Sequence, residues 1–296
     1  MYKNLLPRAL GISGRQSELI ELALSFGFRG LDLDIAEFSE QVKSHGLAHA
    51  RRLLDSAKLQ IGGFLLPVEW QADETVFRDD LRRMSEGAAA AADAGFRRAL
   101  TWVESGSDER PFHQNFEICR QRLSEIAKTL EPHGIRLGVG FSSAPEARAN
   151  KAFEFIHTLD TLLLLLGSVP AKSIGVTVDL WDIHASGGSL DALKKLGGER
   201  LIAVRVADAP ADVPVAELQA SQRMLPGEGG AIDSSAALVT LSEFGFDGPV
   251  TPVPHPDQLR GLRREAAVKR VGEALDRVWK TAGLNVAGKL AAPARR

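Results

Sequence analysis

A single cysteine, Cys119, excludes an intramolecular disulfide in this 296-residue chain. It lies in a run with helical spacing (Phe116, Ile118, Leu123, Ile126) and reads as a buried small apolar residue. An excess of one charge is missing as well: 36 Lys and Arg against 38 Asp and Glu leave a formal net charge of −2. Nothing in that balance favours a polyanion or an anionic membrane as partner. Long apolar runs are missing too. The longest aliphatic run, residues 162–166, is far shorter than the roughly 20 residues that span a bilayer. The opening Met1-Tyr2-Lys3-Asn4 leads into no signal-peptide apolar region. These absences set the expectation of a soluble, cytoplasmic protein with no nucleic-acid partner and no membrane partner; self-association as a homo-oligomer stays open.

What is present is regular alternation. Short β-rich runs at 10–12, 31–35, 59–68, 98–104, 135–141, 174–182, 201–206 and 249–254 predict strands. Between them, helical spacing predicts helices over 17–26, 47–57, 74–94, 112–130, 152–166 and 259–282. Ser189 and Asp233 are suitable N-caps for two further helices. Eight βα units with no break in composition predict one α/β domain, a single (β/α)8 TIM barrel over residues 1–283. Residues 284–296 read as a frayed tail.

The stretch 173–184 is the most informative. Ile174, Val176 and Val178 suit a strand covered on both faces, and its far end delivers Asp179, Trp181, Asp182 and His184 together. In such barrels the C-terminal ends of strands carry the chemistry, so this strand nominates the site.

The runs Thr101-Trp102-Val103-Glu104, Val178-Asp179-Leu180-Trp181, Asp208-Ala209-Pro210 and Arg223-Met224-Leu225-Pro226-Gly227-Glu228-Gly229 resemble the xylose-isomerase-like sugar phosphate isomerase/epimerase family. So does Gly245-Phe246-Asp247-Gly248-Pro249-Val250. The resemblance implies a divalent metal in the mouth of the barrel and proton abstraction beside a sugar carbonyl. It also implies Glu, Asp, His and Glu ligands from strands five to eight, the two glutamates serving as acid and base. Here those positions hold Gly140, Asp179, Arg205 and Val253. One carboxylate does not hold Mg²⁺ or Mn²⁺ usefully, so the expectation is no metal and no other cofactor, with Arg205 paired to Asp179 in its place.

The remaining candidates each have two readings. His184 is a general base or a surface histidine, and Glu104 a replacement base or a solvated loop acid. Trp70 stacks a sugar face or packs as a lid, with Trp102 and Trp181 as further aromatic lining. Arg223 and its Pro-Gly-Glu-Gly turn bind an anion through backbone N–H groups or merely connect. Asp182, three residues after Asp179 at the end of the same strand, is a ligand-binding candidate, and His255 sits near the mouth or on an exposed loop. Three functions follow. The chain is a sugar isomerase or epimerase acting on a small sugar or sugar phosphate without metal. Alternatively it is a pseudoenzyme that binds a ligand or a protein. The third, a DNA-repair endonuclease of the same barrel type, lacks both the basic charge and the zinc ligands it would need.

Overall fold

The structure, a computed structural model, describes residues 1–291. Its parallel strands are β1 (Tyr2–Leu5), β2 (Gly30–Leu31), β3, β4 (Arg98–Trp102), β5 (Arg136–Gly140), β6 (Ile174–Asp179), β7 (Leu201–Val206) and β8 (Pro249–Pro252). Strand β3 comes in two fragments, Gln60–Ile61 and Phe64–Leu65. The first fragment pairs with β2 and the second with β4, so the two ends of the sheet are two ends of one strand. The sheet therefore closes on itself, giving the TIM barrel that the alternating pattern predicts. The break falls on Gly62, where a Cβ would come within 2.1 Å of Asn4 Oδ1 and 2.4 Å of Asp32 Oδ1. Only glycine leaves room there for that polar pair.

Helices pack around the strands and begin where the sequence supplies caps. Asp34, Asp73, Thr158, Ser189 and Asp233 each accept a first-turn backbone N–H. Between helices and strands lies an apolar layer including the fully buried Phe28, Phe77, Leu123 and Ile126. Phe96 meets Phe38 and Phe64 edge-on, at centroid distances of 5.2 and 5.3 Å.

Several expectations are corrected. The first strand is Tyr2–Leu5, paired on both sides with β8 and β2, whereas residues 7–10 form a 3-10 turn begun by Pro7 and ended by left-handed Gly11. Asp34 does not continue a strand; it caps the helix Ile35–His45, which the sequence reading omits. Residues 153–154 pair with 106–107 and only Leu159–Gly167 is helical, because Thr158 caps at that point. Strand β6 stops at Asp179, whose carboxylate accepts from Trp181 N and starts the short helix Leu180–Ala185. The tail is ordered as far as it is described: Trp279 Nε1 donates to Asn285 O at 2.9 Å and Leu290 N to Ser242 Oγ at 3.2 Å. Residues 292–296 of that expected tail lie outside the described residues. No helix among the described residues is long and apolar enough to cross a membrane.

Candidate functional site

Register places Arg205 opposite Asp179 on one side and Thr251 on the other, so the ends of β6, β7 and β8 share one rim. Asp179 does not pair with Arg205 as expected. Its partner is Arg223, reaching in from the loop after β7, whose second amino group lies 3.3 Å from Asp182 Oδ2. Asp182 also accepts from Ser143 N at 2.8 Å, and the Arg223 guanidinium sits 4.8 Å over the ring of buried Trp181. Burial, followed by the charge of Asp179, pushes the Asp182 carboxyl above its ordinary value. Burial opposes the charge on Arg223, but Asp179 and Asp182 outweigh it and hold the guanidinium above its usual range. One arginine is thus shared between two carboxylates inside the rim.

The loop that delivers Arg223 is held from below. Asp208, fully buried, accepts from Gly229 N, Gly230 N and Ile232 N, each at 2.9 Å, and from its own neighbour Ala209 N at 2.8 Å. The glycine-turn N–H groups, for which the sequence left an anion site or a mere connector open, therefore already hold the chain's own carboxylate. Its spacing from the turn was visible in the sequence; its direction was not.

Strand β5 ends in Gly140 because Trp102 fills the space beside it: a Cβ there would lie 2.3 Å from the indole Nε1. Over the same ring sits Arg205, with Cζ 3.8 Å from the centroid. Arg205 has no hydrogen-bond or ion-pair partner among the described residues. Burial lowers its pKa, and the more distant charges of Asp179 and Asp32 oppose that shift. Among the described residues, no three His, Cys, Asp or Glu side chains gather as a metal-holding group.

Arg205 and Trp102 line a cavity of about 650 Å³ that opens over β1 to β4. Inside it with them is Asp32, which is not among the candidates drawn from the sequence. Asn4 Nδ2 donates to Asp32 Oδ1 at 2.8 Å and to Thr251 Oγ1 at 3.0 Å, which fixes the carboxylate at the end of β2. Burial pushes the Asp32 carboxyl up to about 6, against the hydrogen bond from Asn4 and the charge of Arg205. The alternating run Leu31-Asp32-Leu33 was the available signal.

Four other expected site residues fall outside this cavity's lining. Trp70 is buried, donating its indole N–H to Thr101 Oγ1 at 2.8 Å, so it presents no face to a sugar. Glu104 is exposed and its backbone N–H is held by Gln71. His184 ends the helix Leu180–Ala185, and burial lowers its pKa. His255 caps a 3-10 turn through Asp257 N.

Residues 20–282 match the family of xylose isomerase-like TIM barrels. The chain is 33% identical over 129 residues to an inosose isomerase of Bacillus licheniformis, covering 44% of this chain and 43% of that one. The match spans about half the length of the curated relatives. Its fold resembles a xylose isomerase domain protein from Alicyclobacillus acidocaldarius, with TM-score 0.83 and 24% identity over 95% of this chain and 98% of that one. A D-psicose 3-epimerase solved in the presence of D-fructose gives TM-score 0.75 and 14% identity, covering 96% and 100%.

Proposed function

The chain belongs to the xylose isomerase-like TIM barrel family, and from that premise we propose that it is a sugar isomerase-type enzyme working without a metal ion. The observation that carries this reading is the unpaired Arg205 guanidinium facing the same cavity as Asp32. A divalent metal, which the family implies, does not fit the donor set. Gly140 and Val253 offer no side-chain ligand atom, Arg205 brings a positive charge, and the carboxylates of Asp179 and Asp182 are already engaged by Arg223. No step is therefore routed through a metal.

Proton transfer beside a carbonyl needs an acceptor for the carbon-bound proton and positive charge beside the oxygens of the resulting enediolate. Asp32, with a pKa of about 6, takes and returns a proton near neutral pH. Arg205 grips two oxygens and keeps its charge throughout. With Asp32 the one lining carboxylate close enough to Arg205 to feel its charge, transfer between adjacent carbons on one face is favoured over inversion, which needs groups on opposite faces. The substrate on this reading is a small hydroxycarbonyl compound of sugar type.

The test is solvent deuterium exchange into a panel of hydroxyketones and ketoses, with and without chelator. The expected result is exchange that ignores chelator and falls at least about 10²-fold in Asp32→Asn. Fast exchange lost on chelation refutes the metal-free reading. Binding that depends on Arg205 without any exchange makes the protein a ligand-binding pseudoenzyme instead.

A further inference from the structure

We infer that the substrate carries an apolar body behind its reacting hydroxycarbonyl group and is neutral and unphosphorylated, instead of being a polyol or sugar phosphate. This rests on the proton-transfer reading for the reacting end only. The rest of the cavity supplies the argument.

A hexose or pentose brings several hydroxyl groups, and each needs a hydrogen-bond partner once removed from water. Within the cavity, Arg205 and Asp32 offer charged partners, and both are occupied by the reacting end. Beyond them the wall is made by Ile12, Leu33, Phe38, Phe64, Leu66 and Leu100. Leu65, at the edge, is 54% exposed and lines the same space. The other polar side chains stand toward solvent at the edge, where Arg8, Ser13, Asp34, Glu37 and Glu69 are exposed. Asp34 accepts from Ala36 N and Glu37 N, and Gln16 donates to Ala50 O. A polyol set against the inner wall leaves hydroxyls unpaired, whereas an alkyl or aryl group there removes apolar wall from water. Charge disfavours a phosphate as well. The cavity's acids Asp32, Asp34, Glu37 and Glu69 outnumber its arginines, Arg8 and Arg205.

The experiment compares two ligands with the same hydroxymethyl-ketone head, 2-hydroxyacetophenone and erythrulose, by calorimetry on the full chain. The expected result is a Kd at least about tenfold lower for the aryl compound, from burial of its ring. Leu33→Asn is expected to narrow that ratio severalfold. Should it fail to fold, Leu65→Ser at the exposed edge reads the same effect. Equal or tighter binding of erythrulose, or of its phosphate, overturns the inference, as does no binding of either ligand at 10 mM. Deuterium exchange measured on the same samples separates the two readings. Tight aryl-ketone binding without exchange supports the apolar body and removes the proton transfer. Exchange into erythrulose with weak aryl-ketone binding does the reverse.

Discussion

The two halves of the barrel mouth are built on opposite plans. Over β5 to β8, charged side chains meet one another: Arg223 lies between Asp179 and Asp182, and Trp102 fills the space beside Gly140. Over β1 to β4, the cavity leaves Arg205 unpaired and Asp32 anchored by one amide. Arginine thus plays two roles within one rim. Where carboxylates are in contact it holds the fold, and where they are out of reach its charge stays available to a ligand. The presence of a charged residue at a strand end does not by itself mark a site; lack of a protein partner does.

Breaking the closed half has the largest expected effect. Arg223→Ala leaves Asp179 and Asp182 buried without a cation, and removing one member of a buried pair costs about 3–5 kcal/mol. Urea denaturation measures it, and a loss below about 1 kcal/mol would mean that this half is wetter and looser than described.

The open half responds in the opposite direction. The folded-state pKa of Asp32, about 6, lies above the ordinary 3.8. Its favourable contribution is therefore present below about pH 4 and lost as pH rises through about 6, where an ionised carboxylate is held in a poor environment. Asp32→Asn is expected to stabilise the protein by about 1–3 kcal/mol at pH 7, with the gain vanishing near pH 4. Melting curves across that range check it; a variant that is less stable at pH 7 would show the carboxylate to be well paired.

The smallest effect tests the boundary between the halves. Gly140→Ala pushes a methyl toward the Trp102 indole, which shifts and loosens its stack with Arg205. A cost of about 1 kcal/mol is expected, at the low end for overpacking because the ring has some freedom to move. Indole fluorescence and thermal melting together read it. Unchanged values for both would mean that the ring does not fill that space.

Much of the scaffold is legible in the sequence. The strand Leu201–Val206 and the helices Leu47–Ala57 and Phe112–Leu130 have the bounds that their apolar spacing gives. Local pattern failed where a single polar residue reset the backbone, as Asp34 and Thr158 do by capping. The site was legible in part. Strand order alone brings Asp179 and Arg205 to one rim. That Arg223, 44 residues beyond Asp179, folds back to take the carboxylate depends on the buried grip of Asp208 on the glycine turn. Such contacts leave no periodic trace. Asp32 was hidden for a related reason: two acids alternate in that run, and only the onset of the helix tells which one faces inward.

The split of β3 at Gly62 has a consequence for motion. The ladders that close the barrel there run through fragments of two residues each, whereas β6 and β7 pair along six-residue strands. Short ladders open most readily, so amide protons along this seam should exchange with solvent well before those of β6 and β7. The seam also forms one wall of the cavity, since Phe64 and Leu65 belong to both. Breathing of the barrel is thereby concentrated where a ligand enters, and ligand occupancy will register as slowed exchange along the seam while the opposite wall stays unchanged.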